Sequence, residues 1–225
     1  MRRPLLLDLF CCQGGASAGY VRAGFDVVGV DIRPQPRYPW LFSQGDALKY
    51  LAAHAHMFDA FHASPPCNLY SITNAARKAD YPDLVEPTRE ALTATGKPWV
   101  IENVVGAPLV DPVTLCWSHF YVPGSVLDDD GTPLRMERHR LFESNVDLWP
   151  PATCQHPRSV QVAGSYGGAR RDKIEAREIR KGGYVPSARV QANLMGIDWM
   201  NEGGMYQAIP PAYTEHLGRQ LLDQL

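Results

Sequence analysis

Cys67 is the side chain in this sequence best placed to act as a nucleophile. It follows a short apolar run, 57–63, that predicts a buried strand, and Pro65 and Pro66 precede it directly. Each proline holds its own φ at about −65° and favours an extended residue before it, so the loop is rigid before a ligand binds. A thiol held by such a loop at the carboxyl end of a strand is placed for nucleophilic attack. The alternative is a proline-rich turn that carries a buried, inert cysteine.

A carboxylate is predicted to lie near this thiol. Glu102 follows the apolar run 98–101, which predicts another strand of the same sheet. Because the carboxyl ends of parallel strands meet at one edge, we expect Glu102 and Cys67 to share that edge. Further along, the alternation over 137–143 places Arg138, Arg140 and Phe142 on one face of a strand.

The first strand–turn–helix of the chain predicts a site for a nucleoside. The turn holds Gly14 and Gly15, and the second strand ends in Asp31, an arrangement that seats nucleotide-like ligands in doubly wound folds. Cys12 stands where the pyrophosphate fingerprint has its first glycine, so a ligand without phosphates, such as S-adenosylmethionine, fits better. Asp46, after the third strand, could accept from an adenine amine or simply cap the next helix. A plain α/β domain that binds nothing there is the alternative.

Strands and helices alternate over the first half of the chain. This order predicts an α/β fold with a Rossmann-like, doubly wound, mostly parallel sheet. The predicted strands are 5–10, 25–30, 39–43, 57–63 and 98–101, and the predicted helices are 16–23, 47–53 and 84–95. Beyond Gly106 we expect short strands, including 113–117 and 119–122, a charged helix over 170–181, and helices over 190–195 and 212–225.

Composition limits the function classes. The 225 residues suit one sizeable domain, and a net charge of −2 conceals a basic segment, 158–189, with eight basic and three acidic residues. Such a segment is typical of contact with phosphates, although a solvated charged helix has the same pattern. No apolar run reaches about 18 residues, and Asp8 interrupts the N-terminal one, so we expect no membrane span, no signal peptide and a cytoplasmic protein.

Five cysteines without a framework spacing indicate free thiols. A zinc site from Cys116, His119, Cys154 and His156 is conceivable, but the spacings match no common zinc finger. Cys116 also lies in an apolar run that suits a core strand. We therefore expect no metal.

Five blocks of this sequence resemble, in order, the conserved blocks of the DNA cytosine-5 methyltransferases, most closely the compact bacteriophage members. They are Asp8-Leu9-Phe10-Cys11-Cys12-Gln13-Gly14-Gly15, Pro65-Pro66-Cys67, Glu102-Asn103-Val104, Arg138-x-Arg140 and Gln207-Ala208-Ile209-Pro210-Pro211. The resemblance covers most of the chain except 150–185. It implies a class I S-adenosylmethionine-dependent methyltransferase with a catalytic domain over 1–144, a small irregular target-recognition region over 145–186, and a return to the catalytic domain over 187–225.

The resemblance also implies roles for single residues. Cys67 would add to carbon 6 of a cytosine flipped out of double-stranded DNA, so that carbon 5 can take the methyl group. Glu102 would contact ring nitrogen 3 and the exocyclic amine, and Arg140 would hold the base carbonyl oxygen. Arg138 would support the loop or contact a phosphate, and the 68–80 loop would act as a lid.

The remaining expected contacts divide between cofactor and DNA. The residues expected to bind S-adenosylmethionine are Phe10, Cys12, Gly14, Gly15, Asp31, Ile32, Asp46, Ala47, Pro66, Gln207 and Ala208. Those expected to contact DNA are Asn68, Ser71, Arg77, Lys78, Arg170, Arg171 and Lys173. We expect a monomer, with the final helix packed beside the first strand.

Departures from the family pattern leave alternatives open. The family has glycine at Cys12, glutamine at Asn68 and Met136, and Gly-Asn at Tyr206-Gln207. These changes, with the short recognition region, leave open an RNA or free-nucleotide cytosine methyltransferase and an unusual sulfonium cofactor. A catalytically silent nucleic-acid-binding homologue and an unrelated Rossmann-like oxidoreductase are further alternatives. A short recognition region also predicts a short or degenerate target sequence.

Overall fold

The computed structural model describes residues 2–67, Tyr70, 83–165 and 184–225. The predicted lid over 68–80 and the predicted charged helix over 170–181 lie outside the described residues, apart from Tyr70. Within the described part of the chain, no helix has the length and apolar character needed to cross a lipid bilayer.

The strands and helices follow the predicted alternation in the first half of the chain. The strands are β1 Leu5–Leu9, β2 Asp26–Asp31, β3 Leu41–Gln44, β4 Ala60–Ala63, β5 Trp99–Asn103, β6 Val113–Leu115, β7 Val126–Leu127, β8 Pro133–Met136, β9 Arg140–Ser144 and β10 Gln161–Ala163. The helices are α1 Gly15–Ala23, α2 Ala47–His54, α3 Val85–Thr93, α4 Ala188–Met195, α5 Glu202–Gln207 and α6 Pro211–Leu222. The expected strand at 119–122 is wrong, because Trp117–His119 forms a 3-10 turn there.

The main sheet has the order β3-β2-β1-β4-β5-β9-β6 in the described residues. The pairs among its first five strands are parallel, and β9 runs antiparallel between β5 and β6. The expected doubly wound, mostly parallel sheet is therefore confirmed. Its carboxyl edge collects the residues that follow β1, β2, β4 and β5.

Helices cover both faces of this sheet. Because neighbouring residues of β1 point to opposite faces, they pack against different helices. Leu6 packs in one apolar cluster with residues of α1 and α6. Leu7 packs in a second cluster with residues of α2 and α3. The final helix lies directly against α1, where a Cβ on Gly19 would come within 2.1 Å of the Pro211 carbonyl oxygen. Glycine at this position allows the two helices to touch.

A smaller sheet of the order β10-β8-β7 lies beyond the main one in the described residues. Its apolar side packs with α4 and Trp117 in a third cluster, which includes Leu134 and Leu194. Met136, where the family has glutamine, belongs to this cluster and is 2% exposed, so it is a core residue. Strands from both sides of residue 145 build the small sheet, and the division at 145 and 186 stays a prediction.

Candidate active site

The Pro-Pro-Cys loop is fixed to the end of the neighbouring strand. Ser64, at its start, donates its backbone N–H to the Leu9 carbonyl oxygen at 3.1 Å. Asn103 donates its side-chain amide to the Pro65 carbonyl oxygen at 3.0 Å, and its Oδ1 accepts from the Val104 N–H at 2.9 Å. Asn103 thus positions the loop that carries Cys67, a role that the sequence reasoning did not assign.

Glu102 and Arg140 form an ion pair on the same edge. The register of β4 with β5 brings Ser64 beside Glu102, and antiparallel β9 begins at Arg140. The Arg140 Nε lies 3.0 Å from Glu102 Oε1, with side-chain exposures of 17% and 8%. Because both groups are largely withdrawn from water, neither is screened as a surface pair would be.

The electrostatics of Cys67 place it in the same site. Burial raises the pKa of its thiol, the nearby Glu102 raises it further, and Arg140 and Arg138 act in the opposite direction. Burial likewise raises the pKa of Glu102 against the effect of the same arginines and of a Ser64 hydrogen bond. The thiol, the carboxyl and the guanidinium of Arg140 therefore act on one another.

A buried chain of hydrogen bonds lies beneath Glu102. The Tyr20 hydroxyl is 3.0 Å from His62 Nδ1, and His62 Nε2 is 2.9 Å from Ser64 Oγ. Burial lowers the pKa of His62 to about 3, so the ring is neutral. With the tyrosine donating to Nδ1, Nε2–H donates to Ser64 and Ser64 donates to Glu102. Sequence reasoning missed this chain, although a histidine inside an apolar strand was a signal for it.

Arg138 is bonded to backbone carbonyls. It donates to the carbonyl oxygens of Tyr206 and Ala208 at 2.9 and 2.7 Å, and to that of Ser165 at 3.3 Å. The Tyr213 hydroxyl donates to the Arg138 carbonyl at 2.6 Å. These contacts tie the C-terminal segment to the strand that carries Arg140, and they suit the supporting role more than contact with a phosphate.

The turn after β1 forms one wall of an open cleft. Phe10, Cys12 and Gly14 have φ of 59°, 47° and 85°, a region that non-glycine residues rarely adopt. The carboxylate of Asp31 supports this shape, since its Oδ2 accepts from the Cys12 N–H at 3.0 Å and its Oδ1 from the Arg33 N–H at 2.9 Å. The turn is thus held in its strained form from the end of β2.

The cleft adjoins the Pro-Pro-Cys loop at Ser64. Five of the expected cofactor residues line it, namely Phe10, Cys12, Gly15, Gln207 and Ala208. Of the rest, Asp46 caps α2 by accepting from the Lys49 N–H at 2.9 Å, and Ala47 is buried in that helix. Ile32 and Pro66 are exposed, and Gly14 packs near Tyr38 and Trp40.

Asp8 lies at the inner end of the cleft and was not among the expected site residues. Its carboxyl is fully buried, and Oδ2 accepts from the Ser17 hydroxyl. Among the described residues Oδ1 has no hydrogen-bond partner. Burial raises the pKa of Asp8 to about 7, with hydrogen bonds from Ser17 acting against this and Asp31 and Glu102 adding to it.

The lining of the cleft suits a ligand with a positive charge better than one with a phosphate. No lysine or arginine occurs among the described residues that line it, so it offers no cationic partner for a phosphate. The unpaired Oδ1 of Asp8 instead favours a cation, because a cation stabilises a buried carboxylate. S-adenosylmethionine, a nucleoside sulfonium, matches both properties.

The structure does not describe the residues that were expected to contact DNA. Asn68, Ser71, Arg77, Lys78, Arg170, Arg171 and Lys173 lie outside the described residues. Their assignment stays a prediction.

No protein-family model matches the sequence, and no curated protein matches it. Solved structures do. A putative DNA modification methyltransferase encoded within an E. coli prophage has a TM-score of 0.62 at 15% identity, with 98% of this chain and 99% of that chain covered. The Dnmt2 methyltransferase of S. pombe has a TM-score of 0.62 at 14% identity, with 99% of each chain covered.

A third solved structure, the Entamoeba histolytica methyltransferase EhMeth, has a TM-score of 0.60 at 11% identity and covers 100% of this chain and 99% of that one. These structural neighbours are of the DNA cytosine-5 methyltransferase type. The resemblance inferred from the five blocks is thereby confirmed at the level of the fold. Identities this low establish the shared fold alone.

Proposed function

We propose that this chain methylates carbon 5 of cytosine in DNA. The observation that supports this most is the ion pair of Glu102 with Arg140 beside the Cys67 thiol, at the edge where the cleft also opens. A nucleophile, a proton-sharing carboxyl and a fixed cation are the three groups that the reaction needs. The solved methyltransferase structures of the same fold support an enzyme of this class.

The chemistry follows from the weak nucleophilicity of cytosine carbon 5. The Cys67 thiolate adds to carbon 6, and the electron pair of the 5,6 double bond becomes available at carbon 5. Glu102, whose pKa is raised by burial, is suited to share a proton with ring nitrogen 3 as the thiolate adds. After methylation carbon 5 loses its proton to water, the double bond re-forms, and Cys67 leaves as thiolate.

Arg140 has two tasks in this scheme. Its Nε holds Glu102, and the remaining guanidinium donors are available to the carbonyl oxygen of the base. Its charge also opposes the effects of burial and of Glu102 on the Cys67 pKa, and so favours the reactive thiolate.

The proposed methyl donor is S-adenosylmethionine, which supplies an electrophilic methyl group. The residues that would hold it are those of the cleft, with Phe10 and Gln207 at its walls and Asp8 at its inner end. Asp31 would accept from the ribose hydroxyls with the lone pairs that Cys12 and Arg33 leave free.

The substrate must present the base outside a stacked duplex. Carbon 6 is out of reach of Cys67 within B-form DNA, so the nucleotide has to be flipped out, at a cost of a few kcal/mol. We propose double-stranded DNA as the substrate. The RNA or free-nucleotide substrate and the catalytically silent homologue are outcomes of the same test.

The test is transfer of labelled methyl groups from S-adenosylmethionine to duplex DNA, transfer RNA and dCTP, followed by nucleoside analysis. We expect 5-methylcytosine in the DNA and covalent trapping of the chain on DNA that contains 5-fluorocytosine, since fluorine cannot leave as a proton does. Product in RNA or dCTP alone would replace the DNA proposal, and no product with any substrate would indicate a silent homologue.

A further inference from the structure

Two cysteines and two histidines converge next to the active-site strand. The ligand atoms of Cys116, His139, Cys154 and His156 all lie within 4.8 Å of one another, and the described residues contain no second group of this kind. We call these four side chains the Cys/His cluster. Cys116 is buried, the two histidines are half-buried and Cys154 is exposed.

We propose that the Cys/His cluster binds one zinc ion as a closed structural site. Two thiolates and two imidazoles form a ligand set that zinc takes in tetrahedral structural sites. Four protein ligands fill the tetrahedron and leave no position for a substrate or a water molecule. The site would therefore contribute stability and position, not chemistry.

The distances between the ligand atoms suit tetrahedral coordination of one zinc ion. Zinc bonds of about 2.3 Å to sulfur and about 2.0 Å to nitrogen imply edges of roughly 3.3–3.8 Å between ligand atoms. The Cys116 Sγ lies 3.4 Å from His156 Nε2, and the Cys154 Sγ lies 3.8 Å from His139 Nε2. Small shifts of side chains would bring all four atoms to one ion.

The surroundings of the cluster resemble the outer shell of a metal site. His156 places its Nδ1 3.4 Å from Glu137 Oε1, and Arg135 pairs with the same carboxylate oxygen. A carboxylate behind a ligating imidazole fixes its tautomer and orients the other nitrogen toward the metal. Ser118 donates to the Cys116 sulfur at 3.5 Å, which stabilises a thiolate there. The groups around the cluster therefore already suit a thiolate at Cys116 and an oriented imidazole at His156.

His119 does not belong to the cluster. Its Nδ1 accepts from the Cys116 N–H at 3.3 Å, so its ring serves the backbone of the 3-10 turn. His139, from the middle of the Arg-His-Arg stretch, takes the fourth position instead. The ligand set is therefore not the one considered from sequence spacing, where the expectation of no metal rested on Cys116, His119, Cys154 and His156.

The cluster joins the irregular chain after β9 to the ends of two strands, β6 and β9, that already pair in the main sheet. Cys116 follows β6, His139 directly precedes β9, and Cys154 and His156 lie in the irregular chain after β9. Since Arg138 and Arg140 flank His139, a metal at this point would fix the stretch that delivers Arg140 to Glu102. This last consequence rests on the proposed function, whereas the metal site itself does not.

Metal content tests the proposal directly. The chain, purified without metal-affinity resin or chelator, is expected to carry about one zinc per chain by elemental analysis. Cobalt added to the demetallated protein should give thiolate charge-transfer bands and the visible absorption typical of tetrahedral sites. Removal of zinc should lower the melting temperature.

Matched variants separate binding from folding. Cys154→Ser removes an exposed ligand, so this variant should lose most of the zinc and keep the circular dichroism spectrum of the unchanged chain. Cys154→His supplies another zinc ligand and should retain the zinc. His119→Asn, next to the cluster but outside it, should keep the zinc of the unchanged chain. A folded chain without zinc and without a cobalt spectrum, or a Cys116–Cys154 disulfide, would overturn the proposal, and neither result depends on methyl transfer.

Discussion

The candidate active site and the Cys/His cluster meet at one stretch of three residues, Arg138 to Arg140, yet they place cysteine in opposite surroundings. Cys67 ends a rigid loop beside a carboxyl and a guanidinium, and this loop adjoins the open cleft at Ser64. Cys116 is buried and has its own partners in His156 and Ser118. Arg140 pairs with Glu102, and His139, between Arg138 and Arg140, belongs to the cluster.

The difference shows what separates a reactive thiol from a structural one. A reactive thiol needs charged neighbours that tune its pKa without bonding to the sulfur, so that the sulfur is free to form a bond to substrate. A structural thiol is surrounded by enough partners to complete a closed shell. Alternation along an extended chain allows both environments to be served from adjacent positions.

The sharpest contrast comes from Cys67→Ser. We expect methyl transfer to fall by at least about a thousand-fold, because a hydroxyl is far less ionised than a thiol at neutral pH. Binding of S-adenosylmethionine by calorimetry and zinc content should both be unchanged. Methylation within a few-fold of the unchanged chain would contradict the covalent mechanism.

The next largest effect is expected for Arg140→Gln. Removing one member of a largely buried ion pair leaves Glu102 uncompensated and costs about 3–5 kcal/mol when burial is complete, and less at the exposure of this pair. We expect methyl transfer to fall about a hundred-fold and the melting temperature to decrease. Arg140→Lys is the matched control, since it keeps the charge but not the planar set of donors. If both variants retain full activity, the ion pair has no part in the reaction.

A smaller effect should appear in the alkylation of Cys67 as a function of pH, followed by peptide mass spectrometry. Burial and Glu102 raise the pKa of this thiol and Arg140 lowers it. Glu102→Gln should therefore shift the alkylation profile to lower pH, and Arg140→Gln should shift it to higher pH. The Cys67 profile of the unchanged chain serves as the reference. Identical Cys67 profiles in the two variants would mean that the three groups do not share a site.

A separate effect, on the stability of the folded chain rather than on the reaction, concerns Asp8. Its pKa, raised to about 7, means that the folded chain holds a proton there that the unfolded chain has lost above about pH 4. Stability therefore falls as pH rises from about 4 to 7, by up to about 4 kcal/mol from this group. Asp8→Asn should flatten that part of the curve in denaturant titrations. Parallel curves for the two proteins would show that Asp8 ionises normally.

Much of the active site could be predicted from the sequence. Apolar runs ending in Cys67 and Glu102 placed both groups at one edge of a parallel sheet, because such strands must align their carboxyl ends. The order of the five blocks predicted the fold that the solved structures confirm. A local sequence pattern is enough to place a residue when that residue directly follows a predicted strand.

Tertiary structure alone decided the partners of the buried polar groups. Arg138 bonds to the carbonyl oxygens of residues 206 and 208, and His62 connects to Glu102 through Ser64. His139, rather than His119, joins Cys116. All of these are contacts between segments that are distant in the sequence. No periodicity encodes such contacts, since they depend on how packed elements bring side chains together in space. The sequence determined which strand ends carry reactive groups, and packing determined which groups they meet.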